Sequence, residues 1–136
     1  MNDVFRYDID SQRYYEIYRH GDEKNPVRPF SVSCGGVVND KILFFGGEVD
    51  PSQNGHEGAG DFSDEIIVLN GIDGQAITDQ TSRKFSGTTP LARGWSDAAV
   101  LRGRNGDDKL VVFGGLSGDD ENPKRLNDVW ILETVS

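Results

Sequence analysis

A chain of 136 residues with 23 acidic and 14 basic side chains, a net charge of -9, can build one domain with a real core but not two. The acidic balance and the scatter of Lys and Arg argue against nucleic-acid binding or attachment to an anionic membrane surface, since both need clustered positive charge. One cysteine, Cys34, excludes an internal disulfide framework, and no apolar run approaches the about 20 residues of a membrane-spanning helix.

The N-terminus is polar and acidic and carries no secretory-leader pattern, so the chain reads as a soluble, cytoplasmic protein. Few segments have helical periodicity. Short runs of strand character recur instead: Val4 to Tyr7, Tyr14 to Tyr18, Ser31 to Val38, Ile42 to Phe45, Glu65 to Leu69, Gly94 to Leu101, Leu110 to Phe113 and Val129 to Leu132. Turn signals separate them at Asp8 to Arg13, Asp107-Asp108 and Gly118-Asp119-Asp120. Many short strands among 17 glycines predict an all-β sandwich, barrel or propeller.

The stretch Lys41 to Gly60 organises the rest. Ile42 to Phe45 fit a strand buried on both faces. Gly46-Gly47 is expected to stop that strand and to let the backbone approach a neighbour closely. A loop carrying Glu48, Asp50, His56 and Glu57 is expected to follow. Glu48 and Asp50, two apart on extended chain, point the same way. The glycines at 55, 58 and 60 can fold the loop back to bring His56 beside them. Two carboxylates and an imidazole form a mixed O/N set suited to Fe(II), Mn(II) or Zn(II). Asp50-Pro51-Ser52 is equally an ordinary turn opening with solvated charges.

Other chemistry-bearing residues read more simply. Cys34, in an apparent strand, is a buried, inert thiol. His20 lies in a polar linker, and Asp119-Asp120-Glu121 is a solvated acidic surface without a calcium-loop pattern. There is no nucleophile elbow and no phosphate-cradling Gly loop opening a helix.

Internal repetition narrows the architecture. Asn2-Asp3-Val4-Phe5-Arg6-Tyr7, Ser63-Asp64-Glu65-Ile66-Ile67-Val68 and Asn127-Asp128-Val129-Trp130-Ile131-Leu132 match one another. So do Arg28-Pro29-Phe30-Ser31 and Arg93-Gly94-Trp95-Ser96, and so do Ile42 to Gly47 and Leu110 to Gly115. These residues resemble kelch repeats, in which each unit is a four-stranded propeller blade with Gly-Gly ending the second strand. The period here is roughly 61 to 68 residues, longer than the about 50 of a kelch unit. The excess falls in the loops after each Gly-Gly and around Thr78 to Thr89. The blade's usual late Trp is missing, with Tyr15 and Ile77 near its place.

The resemblance implies a partial ring: residues 2–18 as the last two strands of one blade, 28–80 as a complete blade, and 93–133 as three strands of the next. It implies the C-terminal part of a longer propeller, with a protein partner or self-association covering the open blade edges. Arg93 and Trp95 begin a strand where Arg28 and Phe30 do. They read either as structural residues of the repeat or as substrate-binding residues, the guanidinium holding an anionic group.

Within the kelch proteins, Phe45-Gly46-Gly47-Glu48, Asp50-Pro51-Ser52, Gly55-His56, Gly58-Ala59-Gly60, Arg93-Gly94-Trp95-Ser96 and Arg125 to Trp130 look like the specifier branch. Those are the nitrile-specifier, epithiospecifier and thiocyanate-forming proteins of plants and similar proteins of fungi. The resemblance implies Fe(II) bound through a Glu-x3-Asp-x3-His motif and a role in directing glucosinolate aglucones to nitriles or related products. Glu48 and His56 match the motif's ends. Its middle position is Ser52 here, and Asp50 stands two residues earlier as the substitute. The alternatives are a non-catalytic kelch module that binds a protein partner, or a truncated remnant.

Overall fold

A computed structural model describes residues 1–55, 58–77 and 88–133 of the chain. The described residues are all-β. Strands β1 (Val4–Asp8) and β2 (Arg13–Tyr18) form a hairpin, joined by a turn in which the Asp8 carboxylate accepts bonds from the Ser11 amide and hydroxyl. A middle sheet of order β3-β4-β7 follows, from Cys34–Val38, Lys41–Phe45 and Ile66–Asn70. A last sheet has order β10-β9-β8, from Asp97–Leu101 (β8), Lys109–Ser117 (β9) and Lys124–Glu133 (β10). Between them lies a two-stranded ribbon, β5 (Glu48–Asp50) and β6 (Asp61–Phe62). Neighbouring strands are antiparallel throughout, and no sheet closes on itself among the described residues. No described helix is long and apolar enough to cross a membrane.

All eight expected strands form, because each carries an unbroken or alternating apolar run that one sheet face or both can bury. Their bounds differ most at four: β3 and β8 begin three residues later than expected, at Cys34 and Asp97, and β9 and β10 are longer than expected. The expected stop at Gly114-Gly115 does not occur: β9 runs through both glycines, which take φ of +61° and +108°, and its partner β10 shifts register between Leu126 and Val129 to follow. In the middle sheet Gly46-Gly47 does end β4. The residues after it, however, form strand β5 rather than a loop, since Ser31 and Glu48 exchange both backbone bonds, at 3.0 and 2.8 Å.

The Gly46-Gly47 pair is needed for close approach. A Cβ on Gly46 would stand 2.4 Å from the Arg93 carbonyl oxygen, and one on Gly47 would stand 2.7 Å from that of Ser31. Both contacts are shorter than any side chain allows, so only glycine lets these backbones meet. The approach is used: the Gly47 amide donates to the Arg93 carbonyl at 2.8 Å, stitching the middle unit to the last.

Two apolar cores follow from strand alternation. Leu43, Phe45 and Val68 of the middle sheet, with Cys34 and Val38, pack against Leu110, Val112 and Leu132 of the last sheet. The opposite face of the middle sheet buries Ile67 and Leu69 with Val27, and Val4 and Tyr18 of the first hairpin pack on that cluster. Ala76 bridges to Leu69, and the Ile77 amide donates to the Val68 carbonyl, so a short fourth segment runs beside β7. The Tyr18 hydroxyl bonds Gln75 and the Ala76 amide, fastening the hairpin to that segment. The expected unit ending at residue 80 runs past the described residues beyond Ile77.

Candidate functional site

The strands β4 and β9 both reach their Gly-Gly pairs at one end of the packed sheets. The chain after each pair, Glu48 to Phe62 and Leu116 to Lys124, meets there. Asp120 joins them. Its Oδ1 accepts from the Ser52 hydroxyl at 2.5 Å and from the Ala59 amide at 2.8 Å. Ser52 Oγ in turn accepts from the Asn54 amide at 2.9 Å. Asp119 shapes its own turn by accepting from the amides of Glu121 and Asn122, at 3.0 and 2.8 Å. The acidic run 119–121, read from sequence as solvated surface, therefore supplies the tie that holds the longer loop. Nothing in its spacing signals this, because the partner lies 68 residues away.

The two loops flank a shallow, open hollow of about 410 Å³, lined by Asp50, Ser52, Asp61, Asp119, Asp120 and Glu121 among others. Asp50 thus reaches its rim. Glu48, Arg93 and Trp95 do not line it. Glu48 is half-buried at the start of β5, and its carboxylate is turned across the ribbon onto Gly60. A Cβ there would stand 2.7 Å from Glu48 Oε1 and 2.1 Å from the Asp50 carbonyl oxygen. His56 and Glu57 lie outside the described residues.

Of the donor set that the specifier resemblance implies for Fe(II), the structure describes Glu48 and Asp50 but not His56. Glu48 and Asp50 are carboxylates on one short strand. Ser52, at the motif's middle position, has its hydroxyl engaged by Asp120. Among the described residues no group of three or more acidic, histidine or cysteine side chains is placed to hold a metal ion.

Arg93 sits inside the protein, 1 % exposed. Its Nε donates to the Leu91 carbonyl at 3.0 Å, and Nη1 donates to the Gly114 carbonyl at 3.0 Å and to Asp128 Oδ1 at 2.6 Å. Nη2 donates to Asp128 Oδ2 at 2.9 Å, completing a bidentate pair. The pair matches the planar fork of guanidinium to a carboxylate. The hydrogen bonds from the Arg93 guanidinium, burial, and the bond that the Trp130 indole Nε1 donates to Asp128 Oδ2 at 2.6 Å act on this carboxyl together. Arg93's bonds prevail over burial and hold the Asp128 carboxyl well below the usual carboxylate range. A buried guanidinium already neutralised in this way presents no face to a substrate anion, so its geometry is that of a structural residue of the repeat. The sequence did hold a signal for the partner. Asp3, Asp64 and Asp128 recur at one repeat position.

Arg28, the repeat mate of Arg93, bonds the Ser63 hydroxyl and pairs with Glu65 at 3.1 Å. Trp95 is half-exposed, with φ of +57°, and its amide donates to the carbonyl of Val32, itself at φ +48°. Two non-glycine residues in the left-handed region mark local strain, on the order of 1 kcal/mol each. His20 is bonded rather than loose: its amide donates to Asp3 Oδ1 at 2.7 Å and its Nδ1 lies 2.6 Å from Asn2 Oδ1. Cys34 is buried, and desolvation pushes its thiol up to about 11, so it stays protonated at neutral pH.

No family model matches the chain.

Proposed function

We propose that this chain is a segment of a kelch-type β-propeller that serves as a binding module, its protein ligand met by the loops that follow the Gly-Gly pairs. The observation that carries this reading is the tie from Asp120 to Ser52 and Ala59. It braces two loops from successive repeat units into one surface, the usual arrangement when a rigid scaffold presents recognition loops. Arg93 belongs to the scaffold in this reading, and no reaction is assigned.

A second reading is favoured by the Glu48 carboxylate lying over Gly60. Here the chain resembles the iron-dependent specifier proteins, with Glu48, Asp50 and His56 as the metal donors and a glucosinolate aglucone as the substrate. Bound Fe(II) would supply a Lewis-acidic centre for an unstable sulfur-bearing substrate. Anaerobic calorimetry with Fe(II) decides between the two, run beside the double variant Glu48→Ala, His56→Ala. The binding module predicts no heat of binding at micromolar metal from a chain that circular dichroism shows to be folded. Micromolar affinity abolished in the double variant would overturn it in favour of the metal site.

A further inference from the structure

The described sheets stack with a consistent polarity. One face of the middle sheet, carrying the cross-strand pairs Leu43↔Val68 and Phe45↔Ile66, is covered by the last sheet's Leu110, Val112, Trp130 and Leu132. The last sheet repeats the first of these faces on its other side. There the pairs are Val111↔Ile131 and Phe113↔Val129, at the same distance from the Gly-Gly pair. Val111 is half-buried, and the other three are exposed. Phe45 is 1 % exposed, whereas its repeat mate Phe113 is 54 % exposed and Ile131 is 56 % exposed. Leu101 extends the same apolar surface, exposed as well, where the middle sheet has the buried Val38.

The complementary face is also bare, at the other end of the stack. Val4 and Tyr18 of the first hairpin face the middle sheet. By strand alternation Phe5 and Tyr7 point away from it, and Tyr14 pairs with Tyr7 on that side, the rings 4.7 Å apart. All three are exposed. In the repeat, Phe5 and Tyr7 stand where Trp130 and Leu132 stand, the two residues that cover the middle sheet from the last.

We propose that a second copy of this chain covers the exposed face of the last sheet, using the outer face of its β1–β2 hairpin, so that copies associate head to tail. The chain holds both halves of a contact that it already makes once internally, between its middle and last sheets. Phe113, Val129, Ile131 and Leu101 are exposed together on one sheet face, bordered by Asp97 opposite Phe113 and by the Lys109–Glu133 pair at the far end, and such a grouping marks an association surface more often than single exposed apolar residues do. Because the two halves differ, the contact is heterologous: it closes into a ring or grows until ends are blocked. The inference rests on the packing of the sheets and the repeat, and it is independent of what the Gly-Gly loops bind.

The test is sedimentation velocity on the full chain with two variants, Phe113→Asp on one face and Tyr7→Asp on the other. Wild type is expected to sediment above the monomer and to grow with concentration. Each variant alone keeps only one competent face and is expected to remain monomeric. Mixed in equal amounts, they are expected to give a dimer, double the monomer mass, and nothing larger. Ile131→Lys and Tyr14→Lys serve as the second pair if either aspartate variant loses its circular dichroism signature. A wild type that stays monomeric across the range overturns the proposal. So does a Tyr7→Asp variant that associates by itself, which would mean that like faces pair.

Discussion

Asp128 grips a buried guanidinium from a position that keeps part of its own side chain in water, 38 % exposed against 0 % for Arg93. That asymmetry sets what its removal does. Asp128→Asn leaves an interior cation without its counter-charge. Urea unfolding should record a loss of about 3 kcal/mol, the low end for breaking a buried pair, because water reaches the vacated place. The pH dependence has a fixed sign. The folded carboxyl is held below its unfolded value of about 3.9, so its stabilisation is complete above that pH and is lost as pH falls toward the folded value. The stability gap between wild type and Asp128→Asn should therefore be constant from pH 7 to pH 5 and shrink between pH 4 and pH 2. Cys34 gives a second check at this scale. With its thiol pushed up by burial, alkylation by iodoacetamide at pH 8 should be at least tenfold slower in the folded chain than in urea, where the thiolate fraction is ordinary.

At the scale of elements, the sequence displayed the long strands and hid the short ones. Ile42 to Phe45 and Leu110 to Phe113 announce themselves by composition. Glu48–Asp50 and Asp61–Phe62 do not, because three acidic residues among five oppose strand propensity. Their pairing is imposed from outside, by Ser31 bonding Glu48 and by Gly60 letting the ribbon close under the Glu48 carboxylate. The role of Gly-Gly was legible at 46–47 and misread at 114–115, where β10 continues alongside and keeps the strand going. Of the candidate site, Asp50 at the rim was legible, while Asp120 was not, since local pattern carries no information about a partner 68 residues distant. That cross-tie should be separable from the cores. Asp120→Ala frees Ser52 and Ala59, so hydrogen exchange at the Ala59 amide should rise by about tenfold or more. Exchange at the β4–β7 ladder, Leu43 to Val68, should stay unchanged. Equal acceleration at both places would show that the loop and the middle sheet open as one unit.

For the whole molecule the governing fact is that the middle and last sheets each have two apolar faces. Only a stack of sheets can bury both, and the end faces of a short stack stay in water. Repeat mates therefore do different work according to their place in the stack. Phe45 lies in the contact between the middle and last sheets, with Leu110 and Val112 in the same core. Phe113 occupies the matching position one unit later and faces outward. Phe45→Ala should destabilise by about 3–5 kcal/mol, through lost burial and the cavity left between two sheets that cannot close up. Phe113→Ala should change monomer stability by no more than about 0.5 kcal/mol. Denaturant midpoints measured at low protein concentration would establish this difference. Repeating them at high concentration adds what single-chain packing cannot supply. If copies cover Phe113 head to tail, the wild-type midpoint should rise with concentration and that of Phe113→Ala should lag behind it, because association adds to the stability of the folded state by mass action. A Phe113→Ala midpoint that tracks wild type at every concentration would place Phe113 outside any contact between chains.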